Sequence, residues 1–301
     1  MTSEIMLTQQ TTARRKFGGY KPEKPKVLRN PKVDRTLGNI MDAWGKAQER
    51  WDLNLKQRRY DDHYESMLPL VEALGHSAED VERFVSFLSS LKKGGMAVSP
   101  FSLGHFLTAL VNTSDDNDFV LDLRFMRQVN CIGDSNRKNV TIIPCDVMCP
   151  LGRRMESGMI HLKGDCYDRI AQGMRNGKII VDGHSRWASD GIAVGMEGGT
   201  LVIKGDCEND VGKDMEGGRV IIHGNLATGY DMHRVNSEYS NKRICAGYCM
   251  KGGEIYILGK TDAVIGDGMG GGEIHLYDEF DRIGDVQRGK IFHRGKLIVH
   301  K

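Results

Sequence analysis

No apolar run in these 301 residues approaches the roughly 20 needed to span a bilayer. The opening stretch, MTSEIMLTQQTTARRK, has no apolar core of the kind a secretory signal carries. A charge excess of one sign is also lacking. The 42 Lys and Arg against 40 Asp and Glu leave a net charge of +2, too little to draw the whole chain to nucleic acid or a membrane surface. Seven cysteines, an odd number without a secretory signal, favour reduced thiols over a disulfide framework. The expectation is a cytoplasmic protein with neither a membrane nor a nucleic-acid partner.

Glycine, by contrast, is plentiful and unevenly placed: 28 of the 37 fall after residue 150. They punctuate a phrase that occurs six times, as MESGMIHLKG from Met155, MRNGKIIVDG from Met174, MEGGTLVIKG from Met196, MEGGRVIIHG from Met215, MKGGEIYILG from Met250 and MGGGEIHLYD from Met269. Successive methionines lie 19, 22, 19, 35 and 19 residues apart. The aliphatic pairs Ile160/Leu162, Ile179/Val181, Leu201/Ile203, Val220/Ile222, Ile255/Ile257 and Ile274/Leu276 recur at one place in every copy. Residues two apart point to one side of a strand, so these pairs face an interior. A second short element of small or aliphatic residues precedes each Met, from Leu151-Gly152 to Ile265-Gly266. A period near 20 with short strands marks a solenoid, in which no unit buries its own apolar face alone. The pattern predicts a mainly β fold: a right-handed parallel β-helix of about seven coils with Met and aliphatic ladders inside. A left-handed hexapeptide helix would need an aliphatic residue every six positions, and a calcium-binding nonapeptide solenoid would need Gly-Gly-x-Gly-x-Asp; neither pattern is present.

With that phrase in hand, the region from about Val140 to Lys301 resembles the GXGXG-repeat family. Its members form the C-terminal β-helix of the glutamate synthase large subunit and the C subunit of formylmethanofuran dehydrogenase. The resemblance implies a structural part that spaces and docks catalytic domains. It implies no catalytic residue and no cofactor of its own, with flavin/iron–sulfur or molybdenum/tungsten subunits as partners.

Ahead of the repeats, residues 1–35 carry nine Lys/Arg against three acids and read as a basic flexible tail, or as an arm for a partner subunit. Nucleic-acid binding ranks third there, since only Phe17 and Tyr20 offer stacking surfaces. Residues 36–135 read as a helical module. Leu37, Ile40, Met41, Trp44, Ala47, Trp51 and Leu55 form one stripe, and a second helix spans Asp62 to Leu74. Ser77 to Asp80 caps a third helix, and Pro100 opens a fourth. The strands Phe119–Leu123 and Val140–Ile143 then cap the open start of a β-helix spanning 136–301.

Candidate chemistry is sparse. Cys145/Cys149 and Cys245/Cys249 form two C-x3-C pairs, read as interior thiols rather than metal ligands, and Cys166 and Cys207 as core positions two turns apart. Asp165, His184, Asp206, Asn225 and Lys260 follow the corner glycines in one column; Asp-His-Asp at steps of about 4.8 Å could hold a divalent cation, though such side chains more often cap corner amides. Asp61, Asp62, His63 and Glu65 look ligand-rich but read as a solvated helix start. No catalytic, cofactor-binding or metal residue is assigned. The long turn after Gly229 carries Tyr230, His233, Arg234, Tyr239 and Arg243, side chains that interfaces favour, and is the expected partner-binding surface. The functional expectation is a non-catalytic scaffold subunit of an oxidoreductase complex. The alternatives are a metal-assisted enzyme with its site between helical module and β-helix, or a self-assembling homo-oligomer.

Overall fold

The computed structural model describes residues 31–57, 63–93, 100–186, 191–208, 210–227 and 244–301. Residues 1–30 of the basic tail and the stretch 228–243, which holds all five expected partner-binding residues, lie outside them. The chain divides into two compact units, Met1–Asp34 and Arg35–Lys301, and apart from residues 31–34 the features below belong to the second.

Four helices come first: α1 (Pro31–Gln57), α2 (His63–Val71), α3 (Ala78–Lys93) and α4 (Pro100–Thr113). The apolar stripe of α1 buries Ile40, Trp44 and Ala47. Trp44 meets Phe106 of α4 at 5.2 Å between ring centroids, and Phe84 of α3 meets Phe106 at 5.6 Å, both inclined as aromatic pairs prefer. α3 begins with a reciprocal cap: Ser77 N–H donates to Asp80 Oδ2 at 3.0 Å, and Asp80 N–H donates to Ser77 Oγ at 3.2 Å.

The remainder is a β-solenoid of about eight turns. Its main sheet runs β1 (Asp118–Asp122), β3 (Asn139–Ile143), β5 (Met159–Leu162), β6 (Lys178–Val181), β7 (Thr200–Ile203), β8 (Arg219–Ile222), β10 (Glu254–Ile257), β12 (Glu273–Leu276), β14 (Lys290–His293) and β15 (Lys296–His300). All neighbours are parallel except β14 and β15. Ile160, Ile179, Leu201, Val220, Ile255, Ile274 and Ile291 stand in one column, each fully buried. The 35-residue period between Met215 and Met250 leaves this register intact: Val220 still pairs with Ile255. The element before each Met stacks as well, through the bridges Ile132–Leu151–Ile170 and Ile192–Val211–Ala246. A further column, Cys166–Ser185–Cys207–Leu226–Thr261, gives the turn an additional side that single residues mark too faintly to be read from the sequence.

The methionine and glycine of the phrase have one joint explanation. Met155, Met174, Met196, Met215, Met250 and Met269 are fully buried. A β-carbon on Gly177, Gly199, Gly218, Gly253, Gly272 or Gly289 would stand 2.6–2.8 Å from the methyl of the preceding turn's Met. The terminal methyl of each methionine therefore rests against the glycine of the next turn, which is why the two residue types repeat together.

The ends of the stack differ from expectation. Phe119–Leu123 and Val140–Ile143 are not a cap but the first two rungs, because Phe119, Leu121, Val140 and Ile142 point inward like their successors. The stack thus begins at Asp118, not near residue 136. Helix α3 packs along β1 and α4 packs on β2 (Gln128–Val129), so helices cover the edge that a first rung exposes. At the other end β15 turns back antiparallel, with a bulge opposite Ile291/Phe292 and Lys296 on the outer strand, devices that blunt a sheet edge.

Candidate functional site

Among the described residues, three places hold polar or exposed groups in a way the interior ladders do not explain. They are a buried charge cluster, a corner ladder and the outer face of the main sheet.

The first lies where α4 seats on the solenoid. A polar stripe of α4 reads the backbone of the loop 130–137. The carbonyl oxygen of Asn130 fits against Gly104, which has no β-carbon to obstruct it. Thr108 Oγ1 accepts from Gly133 N–H at 2.8 Å. Asn112 donates to Ser135 O at 3.0 Å and accepts from Arg137 N–H at 2.9 Å. On the same helix His105, 2% exposed, lies 3.9 Å from the fully buried Asp134 and 5.9 Å, ring to ring, from His63. Arg153 and Arg154, one solenoid turn after Asp134, close on its carboxylate at 2.9 and 3.2 Å.

His63 is therefore a buried member of this cluster and not part of a solvated helix start; Glu65 is exposed, while Asp61 and Asp62 lie outside the described residues. The reason is that α2 packs along α4, so its first turn is covered. Asp134, Arg153 and Arg154 escape a motif search, yet opposite charges 19 residues apart, one period, are the signal that would have found them.

Burial lowers the pKa of His105 to about 4, against a partial opposing pull from Asp134; His63, Arg153 and Arg154 lower it further. Unfolded, the ring takes its proton near pH 6.5, so between pH 6.5 and 4 the unfolded chain holds more protons than the folded one. Stability present above pH 6.5 is thus lost as the pH falls, and His105 contributes about 3 kcal/mol of that loss by pH 4. Urea midpoints measured from pH 4 to 7 should show a shallower pH slope for His105→Gln than for the natural chain; equal slopes would refute the assignment.

The second place is the corner column. Asp165 Oδ1 accepts from His184 N–H at 2.9 Å, and His184 Nδ1 accepts from Asp206 N–H at 3.0 Å. Asp206 Oδ1 accepts from Asn225 N–H at 2.8 Å, and Asn225 Oδ1 from Lys260 N–H at 2.9 Å. Each side chain caps the amide of its counterpart one turn on, so these atoms are committed to the backbone. At Asp165 burial opposes the charge, but the His184 amide and the Arg186 guanidinium outweigh it and hold the carboxyl below its usual range. Asp206→Asn retains the accepting oxygen and should leave stability nearly unchanged. Asp206→Ala should cost about 1 kcal/mol by stranding the Asn225 amide, a difference readable in melting temperature.

The cysteines divide. Cys145, Cys166 and Cys207 are buried, and Cys166 and Cys207 stand two rungs apart in one column as expected. Burial pushes the Cys145 and Cys166 thiols up. Cys149, Cys245 and Cys249, also expected inside, are only half-buried, because Met148, Ala246 and Met250 take the inward positions beside them. Among the described residues no group of three or more His, Cys, Asp or Glu is placed to hold a metal.

The third place is the outward face of the main sheet. Its middle column reads His161, Ile180, Val202, Ile221, Tyr256, His275 and Phe292. Tyr256 stacks on His275 at 4.4 Å and His275 on Phe292 at 4.6 Å, with planes within 7°. Beside them Leu258 and Tyr277 are 37% and 47% exposed. At the other end Asp182 gathers Lys204 at 2.7 Å, His161 at 3.0 Å and Lys163 at 3.4 Å, and Lys204, then His161, hold its carboxyl well below the usual range. The face is long and continuous and largely apolar along its middle column, which is the character of a contact surface and not of a reaction pocket. The small space near α4, about 10 Å³ and lined by groups such as Val111, Leu121 and Ile142, has room for no more than about one water. No helix of the described residues is long and apolar enough to cross a membrane. Comparison with known protein families finds none whose model matches this chain, and comparison with curated proteins finds no match either.

Proposed function

We propose that this chain is a non-catalytic scaffold or accessory subunit that docks the catalytic subunits of a cytoplasmic oxidoreductase complex. On this reading it plays the part of the C-terminal β-helix of glutamate synthase or of the β-helical component of formylmethanofuran dehydrogenase. The observation that carries the reading is the rigid stack itself, in which six copies of one phrase hold an unbroken register from β5 to β12. Such a stack is a spacer of fixed length with a continuous outward face. The stretch 228–243, with Tyr230, His233, Arg234, Tyr239 and Arg243, supplies a second contact surface on the same reading.

The test is affinity capture of the tagged full chain from native extract. Recovery of stoichiometric flavin/iron–sulfur or molybdenum/tungsten subunits is the expected result. A chain that emerges with no other subunit sinks the reading.

A further inference from the structure

The outer face of the main sheet carries an internal asymmetry that identifies its own complement. In the first half of the middle column the outward residues are aliphatic: Ile180, Val202 and Ile221. In the second half they are rings, Tyr256, His275 and Phe292, stacked parallel and bulkier than the aliphatic side chains. One half of the column therefore carries the smaller side chains and the other the larger, and the change falls between β8 and β10.

We infer that this face packs against the same face of a second copy, the two related by a two-fold axis that lies between β8 and β10 along the strand direction. Such an axis keeps the three outward columns aligned and reverses the order of the rungs. Ile221 then meets Tyr256 of the second copy, Val202 meets His275, and Ile180 meets Phe292. Each small side chain faces a large one, so two sheets can approach to the spacing of about 10 Å at which sheet faces interdigitate. A partner in the opposite orientation along the axis would set ring against ring and leave the aliphatic half apart.

The flanking columns agree with this arrangement. Arg219 meets Glu254 of the second copy, extending the 2.7 Å pair those residues already make within one chain. Asp182 meets Arg294, and Lys204 lies over Tyr277, an exposed ring suited to a cation. One like-charged pair arises, Lys178 with Lys290, at the outer limit of the contact; there Glu273 already binds Lys290 at 2.9 Å. The matched face spans six rungs, about 24 Å along the axis at the rung spacing of parallel strands. This self-association stands apart from the scaffold reading: a homodimer without other subunits would end that reading and leave this one intact.

Sedimentation velocity on the full chain tests it. A dimer is expected, weakened about tenfold or more by Val202→Asp, which buries a charge at the contact yet leaves the interior of the solenoid unchanged. The melting temperature of the variant serves as the control for folding. Orientation is tested by mixing Ile180→Cys chains with Phe292→Cys chains under a mild thiol oxidant: the mixture should form a disulfide-linked dimer. Ile180→Cys alone should not, because its two copies would stand about 24 Å apart along the axis. A monomeric natural chain, a dimer indifferent to Val202→Asp, or self-linking of Ile180→Cys overturns the proposal.

Discussion

Gly104→Ala will destabilise the protein by about 4 kcal/mol, although alanine is the better helix former by about 1 kcal/mol at an ordinary helical site. A β-carbon there would overlap the carbonyl oxygen of Asn130 and come within 3.0 Å of Ile132 N. Backbone cannot yield as a side chain end can, so α4 must lift from the loop 130–137. Lifting breaks the Thr108–Gly133 and Asn112–Ser135 hydrogen bonds, each contributing about 1 kcal/mol, and opens the His105–Asp134 contact to water. Gly45→Ala on α1 is the matched control. Nothing lies within 4 Å of its β-carbon position, so it should stabilise by about 0.5–1 kcal/mol. Denaturant midpoints of the two variants should move in opposite directions; a common direction would mean that α4 is not seated by close backbone approach.

Inside the solenoid, Gly218→Ala is expected to cost about 4 kcal/mol, from a φ that L residues avoid and from overpacking in an interior that cannot expand. Gly218 has φ +81°, and an added methyl would stand 2.8 Å from the Met196 methyl, 2.8 Å from Gly198 C and 2.9 Å from Gly199 O. Gly195→Ala isolates the first contribution. Its φ is +59° and no atom lies within 4 Å, so it should cost only about 1 kcal/mol. Ala193, two residues earlier, already tolerates φ +53°. If the two variants melt together, the stacking of Met on Gly from turn to turn is not what holds the register.

The solenoid was legible because its constraints are local and repeated. A methionine that must cover a glycine one turn on, and an aliphatic pair that must face inward, leave a mark at every period, and six marks in register exclude most other architectures. The helices were legible for a similar reason: Trp44, Ile40 and Ala47 share one face, and Ser77 with Asp80 carries the cap within four residues. What escaped notice depends on residues distant in sequence. His105 and Asp134 lie 29 positions apart and are joined only because α4 docks on the first turns. His63 looked like the start of a solvated helix because the element that covers it is encoded some 40 residues later. Cys149, Cys245 and Cys249 looked interior by composition, yet which of two adjacent residues points inward at a corner is set by the turn of the backbone.

From the amino-acid order alone came the stack, its period, its interior and the short helices before it, since each rests on spacings within one turn of helix or solenoid. The corner side chains Asp165, His184, Asp206 and Asn225 bind neighbouring amides, the commoner of the two roles open to that column from its sequence. Tertiary structure alone decided where the stack begins, how its first edge is covered and which charges are buried there. Those outcomes depend on contacts between segments whose pairing is specified by shape and not by periodicity, and shape exists only once the chain has closed upon itself.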